Sequence, residues 1–237
     1  AAPVASKEIV STKDLRVWFP IQRGLLRKTV GHIKAVNAAT LTVREGETLG
    51  IVGESGSGKT TLALAIMRLI ASEGPINYLG EDISTWPPAR LRALRRDMQI
   101  VFQDPMASLD PRMTVGDQID EPLVIHGRAG RAAELMEKVG LTAAQLTNYP
   151  HEFSGGQRQR IGIARVIALK PKLIVADEPV SALDVSIQAQ VINLIDDLQK
   201  ADGISIVFIA HDLSVVQHIS DRVAVMYLGK IMEIAKT

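Results

Sequence analysis

The sequence predicts an α/β chain: a mostly parallel sheet flanked by helices, preceded by an antiparallel β-layer and interrupted by a helical subdomain. Three observations carry this expectation. Apolar runs at 173–176, 204–209 and 223–228 alternate with helical patterns at 185–199 and 213–219, as expected for parallel strands buried on both faces. The apolar run 48–52 leads into Gly53-Glu54-Ser55-Gly56-Ser57-Gly58-Lys59-Thr60 and then into the helix-forming run 61–67, a strand, a glycine-rich loop and a helix in succession. From 104 to 168 helical signals dominate instead.

Bulk properties narrow the class. A length of 237 residues with 46% hydrophobic content supports one domain with an ample core and room for an inserted subdomain. Formal charge is +1, from 27 basic against 26 acidic residues, and nucleic acid is not expected, since phosphate backbones need a basic excess or stripe. The run Arg90, Arg92, Arg95, Arg96 is read as a solvated helix face. With no cysteine, disulfides and thiolate metal sites are excluded and a reducing compartment suits the chain. No stretch reaches the roughly 20 apolar residues that cross a bilayer, and the N-terminus lacks a signal-peptide layout. The expectation is a soluble chain whose membrane role comes through a partner.

Taken in order, 9–19 and 33–43 are β-rich and joined by a polar connection at 23–31, giving the antiparallel layer. After the first helix, 76–80 reads as a short strand, 87–96 as a helix opened by prolines, and 98–102 as a strand ending at Gln103. Thr114 with Asp117 three residues on announces a helix over 119–125, and 129–139 a second one closed by Gly140. The α/β alternation resumes at Lys172. The chain is thus expected as one domain over 1–237, with an α/β core and β-layer at 1–103 and 169–237 and the helical subdomain at 104–168.

The chemistry begins at 53–60. Three glycines let the backbone curl so that N–H groups face inward, and the following helix presents its positive end to the same spot. Lys59 supplies a mobile cation for outer phosphates, and the Thr60 hydroxyl is placed for the Mg²⁺ that accompanies them. The apolar strand ending in Asp177 and Glu178 adds two carboxylates at the carboxyl end of a parallel strand, where such sheets bind ligands. Asp177 is suited to hold Mg²⁺ through water and Glu178 to polarise the water that attacks a γ-phosphorus. A second anion site is predicted at Ser154-Gly155-Gly156-Gln157. Ser154 and Gln157 are spaced as a capping box, and the two glycines leave bare N–H groups at a helix start. Two phosphate sites in one chain suggest that each nucleotide is shared by two chains.

At these residues the sequence resembles the ATP-binding cassette ATPases, the nucleotide-binding domains of ABC transporters, over essentially its whole length. The resemblance implies a P-loop NTPase fold of ABC type and binding of ATP with Mg²⁺, and it adds Thr61 to the nucleotide-contacting loop. It assigns Ser154, Gly155, Gly156 and Gln157 to the signature that reaches the γ-phosphate held by the opposite subunit, with Phe153 where the family most often has Leu. Gln103 matches the glutamine that senses Mg²⁺ and the attacking water. Ser181-Ala182-Leu183-Asp184 matches the D-loop, in which Asp184 bridges subunits, and His211 matches the switch histidine that contacts the γ-phosphate. Phe19 is the expected adenine-stacking aromatic, with Trp18 its rival, because strand alternation puts the two on opposite faces.

Finer resemblance, in Val17-Trp18-Phe19-Pro20-Ile21 with Arg23-Gly24-Leu25-Leu26, in 50–60 and in Phe102-Gln103-Asp104-Pro105-Met106-Ala107-Ser108-Leu109-Asp110-Pro111, points to ATPases of bacterial dipeptide and oligopeptide importers. It implies ATP hydrolysis coupled to transmembrane transport at the cytoplasmic face of the bacterial inner membrane. The implied partners are transmembrane permease subunits, a second ABC ATPase subunit and, indirectly, a periplasmic or extracellular peptide-binding protein. Those ATPases continue past a segment like 229–234, whereas this chain starts at Ala1 and stops at Thr237. An excised nucleotide-binding domain, or the second cassette of a fused twin-cassette protein, is therefore expected. The alternatives are a soluble ABC ATPase acting on ribosomes or DNA, against which the balanced charge and missing coiled-coil insertion argue, and a nucleotide-gated binding module, against which Glu178 and His211 argue.

Overall fold

The structure, a computed structural model, describes residues 7–23, 28–104 and 108–237. Its contacts cluster in two units, one of residues up to Leu94 together with Ser205–Thr237 and the other of Arg95–Ile204.

The first unit holds the antiparallel layer. Strands β1 (Glu8–Arg23) and β2 (Lys28–Arg44) pair along their length, and β4 (Ile76–Tyr78) and β5 (Glu81–Asp82) extend the sheet in the order β2-β1-β4-β5. Both long strands run further than the sequence pattern predicts, pairing as far as Arg23 with Lys28. Much of the connection expected at 23–31 is therefore strand. Residues 18–23 of β1 are solvent-exposed, so no apolar alternation marks them.

The same unit carries the strand order β10-β9-β3-β8, formed by β3 (Thr48–Val52), β8 (Ser205–Ile209), β9 (Arg222–Tyr227) and β10 (Lys230–Lys236). β3 is parallel to β8 and to β9, and β10 closes the edge antiparallel to β9. Every residue of β3 and β8 is buried, as their unbroken apolar runs require of strands covered on both faces. Helices α1 (Lys59–Ile66), α2 (Pro88–Leu94) and α7 (Leu213–Ile219) complete this unit, and α1 and α7 pack on its parallel strands.

In the second unit, β6 (Met98–Val101) and β7 (Leu173–Asp177) pair in parallel. Helices α3 (Val115–Ile125), α4 (Ala132–Lys138), α5 (Gly155–Ile167) and α6 (Val185–Asp202) accompany them. Thr114 caps α3 as its spacing predicts, its hydroxyl accepting from the Asp117 N–H at 3.2 Å. α4 begins at Ala132, three residues later than expected, because the Asp120 carboxylate accepts the Arg131 N–H at 2.6 Å and holds the chain outside the helix. α5 begins at Gly155, so the two glycines lie inside it. Among the described residues no helix is long and apolar enough to cross a membrane.

Candidate functional site

The first unit builds the loop that follows β3. Gly58 caps α1 with φ 100°, a conformation that side chains rarely adopt, and a Cβ there would sit 2.1 Å from the Ala35 carbonyl oxygen. A Cβ on Gly53 would sit 2.2 Å from the Met226 carbonyl oxygen. Glycine is thus demanded at both ends by the walls of the loop, and the curl leaves Lys59 95% buried. Its ammonium donates to the carbonyls of Gly53 at 2.8 Å and Glu54 at 3.0 Å. A buried ammonium held by two carbonyls of a glycine loop is a cation whose hydrogen bonds an anion could take over. Glu54, Ser55, Gly56 and Thr60 are exposed around it and Thr61 is half-buried. Ser57 is buried; its N–H donates to the Glu54 carbonyl at 3.1 Å, and its hydroxyl has no partner.

His211 lies just past β8, whose Ile209 pairs with Ile51 of β3. It therefore stands, exposed, at the same carboxyl edge as the loop. Asp212 behind it caps α7, accepting from the Ser214 hydroxyl at 2.6 Å and the Ser214 N–H at 2.8 Å, and these bonds hold its carboxyl below the usual range. On β1, Trp18 and Phe19 are both partly exposed. The Trp18 ring is already engaged, with the Lys34 ammonium 4.6 Å and the Arg16 guanidinium 5.9 Å from its centroid. Phe19 faces Ile33 across the strand pair and is 44% exposed, which leaves it the more accessible apolar face.

The second unit gathers the other predicted residues in two places. In the first, β6 and β7 pair from Met98 with Leu173 to Val101 with Ala176. Gln103, two residues past β6, and Asp177 with Glu178, at the end of β7, therefore emerge from neighbouring carboxyl ends. Asp177 is buried, Glu178 half-buried and Gln103 exposed. Glu178 has φ 48°, a left-handed backbone costing on the order of 1–3 kcal/mol for a residue with a side chain. Its carbonyl accepts from both the Ser181 hydroxyl at 3.1 Å and the Ser181 N–H at 3.3 Å. The D-loop serine thereby fastens the glutamate's peptide, an arrangement that sequence spacing does not reveal.

In the second place, Ser154 and Gln157 form the predicted capping box. The Ser154 hydroxyl accepts from the Gln157 N–H at 3.3 Å, and the Gln157 side chain accepts from the Ser154 N–H at 2.9 Å. The structure adds a reason for Gly156 that the sequence did not supply. A Cβ on Gly156 would lie 2.4 Å from Ile187 Cγ2, and one on Gly155 would touch Leu183. The start of α5 thus packs directly on the segment around Asp184, which occupies the N-cap position of α6.

A family model described as ABC transporter matches residues 36–181. Over 234 residues the chain is 53% identical to the oligopeptide transport ATP-binding protein AppF of Bacillus subtilis (strain 168), covering 95% of this chain and 71% of AppF. It is 52% identical over 247 residues to the glutathione import ATP-binding protein GsiA of Escherichia coli (strain K12), covering 99% of this chain and 40% of GsiA. The chain spans about two fifths of the length of the GsiA relatives it matches. Among solved structures, the dimeric post-hydrolysis state of the ATP-binding cassette MJ0796 bound to ADP and Pi superposes with a TM-score of 0.84 at 28% identity, covering 96% of this chain and 98% of that one. With more than half its length inside the family model and a 53% identical relative matched along nearly all of it, the chain belongs to the ABC transporter family.

Proposed function

We propose that the chain is the ATP-binding and ATP-hydrolysing cassette of an ABC importer, acting as one cassette whose residues 104–168 form a helical arm. The observation that carries this reading is Lys59, buried and held by two loop carbonyls at the mouth of a glycine loop between β3 and α1. Such a loop is matched to a polyphosphate, with the Lys59 cation exchanging carbonyl partners for phosphate oxygens. The names of AppF and GsiA, an oligopeptide and a glutathione transport protein, support peptides as the cargo class. Work would then be done at the cytoplasmic face of a bacterial inner membrane, against permease subunits fed by an extracytoplasmic peptide-binding protein.

The donor types present on each unit, taken by itself, also suit Mg²⁺. Among the described residues no group of three or more His, Cys, Asp or Glu could hold a metal, whereas the Thr60 hydroxyl, the Gln103 amide oxygen and the Asp177 carboxylate are the hard oxygen donors this ion prefers. When bound, Mg²⁺ would neutralise charge on the transferring phosphoryl group. The protein's own residues do the rest. Phe19 stacks on adenine, while 53–61 and Lys59 orient the phosphates. Ser154–Gln157 of a second cassette closes over the γ-phosphate, and Asp184 bridges the pair. Glu178 accepts a proton from the attacking water, and His211 steadies the γ-phosphate. ATP gains these contacts only in the closed pair, so its differential affinity drives closure and hydrolysis releases it.

Glu178→Gln is the direct test. ATP affinity should survive, a dimer should accumulate, and phosphate release should fall by roughly 10²–10⁴-fold, the usual worth of a general base. Turnover near that of the unaltered chain would remove Glu178 from this role.

A further inference from the structure

The phosphate loop is braced from outside by the hairpin that joins β9 to β10. Tyr227 pairs with Lys230, and the two residues between them, Leu228 and Gly229, have φ 45° and 79°, the pattern of a tight type I′ turn. Such turns favour Asn or Asp before Gly; here the position holds a leucine that is 71% exposed. The turn is not idle. The Gly229 N–H donates to the Ser57 carbonyl at 2.9 Å, and the Gly229 carbonyl accepts from the Asn37 N–H of β2 at 2.7 Å. The same surroundings press on the loop's glycines: the Met226 carbonyl lies against Gly53, and the Ala35 carbonyl and the Met226 methyl against Gly58.

One bond in this brace has a chemical direction. A trans peptide is planar, and its C=O and N–H point opposite ways; no peptide among the described residues is cis. Fixing the Ser57 carbonyl toward the hairpin therefore turns the N–H of Gly58, in the same peptide, away from the hairpin. The Ser57 side chain does not compete for this duty, because its hydroxyl is buried without a partner.

We propose that Gly229 is a positioning residue for the phosphate loop: its amide, anchored through its carbonyl to Asn37, holds the Ser57–Gly58 peptide so that the Gly58 N–H serves the bound polyphosphate. This rests on the ATP-binding reading above. The Gly58 N–H serves ground state and transition state alike, so its loss raises KM and leaves kcat nearly unchanged.

The test is Gly229→Ala in the full chain, assayed where its far-UV circular dichroism matches that of the unaltered chain. The added Cβ would sit 2.9 Å from the Ala35 carbonyl oxygen and 3.0 Å from that of Lys34, at φ 79°. ATP Kd and KM should rise about tenfold or more with kcat within about threefold. Leu228→Asn, which keeps the turn and the Gly229 amide, should leave ATP Kd within about twofold. If Gly229→Ala does not fold, hydrogen exchange of the Gly229 amide in the unaltered chain decides: saturating MgATP should slow it about tenfold or more. Unchanged exchange, ATP affinity within about twofold for folded Gly229→Ala, or a loss in Leu228→Asn equal to that in Gly229→Ala would each overturn the proposal. Failure of the unaltered chain to bind ATP at all would instead overturn the nucleotide reading.

Discussion

Lys59 and Glu178 show how single residues are held ready at a cost. The Lys59 ammonium is desolvated and satisfied by two carbonyls of its own loop, so a phosphate need only replace those acceptors. Lys59→Ala removes a charge-assisted contact worth about 1.5–3 kcal/mol. ATP affinity should fall roughly 10- to 150-fold in calorimetric titration while the fold is retained. Glu178 keeps its left-handed backbone with its carbonyl fixed by Ser181. Ser181→Ala deletes one hydrogen bond and leaves the Ser181 N–H bond in place. At about 0.5–1.5 kcal/mol for the lost bond, kcat should drop roughly 2- to 13-fold with ATP Kd unchanged. The residues proposed for the site could be picked out because their types and spacings are local: Gly53 to Thr60, Asp177 with Glu178, Ser154 with Gln157. What fastens them was not. Glu178 is tied by a serine whose role spacing leaves open, and the Ser57 peptide by Gly229, 172 positions downstream (229 − 57).

At the scale of elements, the sequence located strands and helices wherever apolar periodicity and caps agreed. α7 runs over 213–219 as expected, and α3 starts behind its Thr114 cap. Thr114→Ala should cost about 1 kcal/mol, the usual worth of an N-cap, read as a lower denaturant midpoint without loss of ATP binding. Two strands escaped. β5 is only two exposed residues, Glu81 and Asp82, and every residue of β10 is exposed or half-buried. An edge strand in contact with solvent has no buried face to impose alternation, so periodicity is silent there. The glycines at the start of α5 were read only as bare N–H groups. The tight fit of Gly156 against Ile187 depends on tertiary packing that no local pattern carries.

For the molecule as a whole, the sequence indicated the layers through motif order: an antiparallel layer, a strand-loop-helix, a helical insertion and a returning parallel pattern. It did not indicate what ties distant segments together. Glu47, at the turn before β3, and Arg222, opening β9, form a bidentate pair with only 8% and 15% of their side chains exposed, and Arg222 also donates to the Thr42 carbonyl. Burial alone would raise the Glu47 pKa, but the Arg222 hydrogen bond, the Arg44 N–H and both positive charges together bring it below its ordinary 4.5. The folded state therefore favours the ionised carboxylate. This stabilisation is fully present above pH 4.5 and is lost as pH falls through the depressed value. Glu47→Gln should lower stability at neutral pH by roughly 1–3 kcal/mol and flatten its decline below pH 4.5, as measured by denaturant unfolding across pH.

The pairing proposed above has each chain contribute half of each hydrolytic site. It is tested most directly by measuring phosphate release from saturating MgATP against chain concentration. The rate per chain should climb with concentration as the 25.7 kDa chains pair. A rate per chain that stays constant from the most dilute to the most concentrated sample, or no release at any concentration, would contradict it.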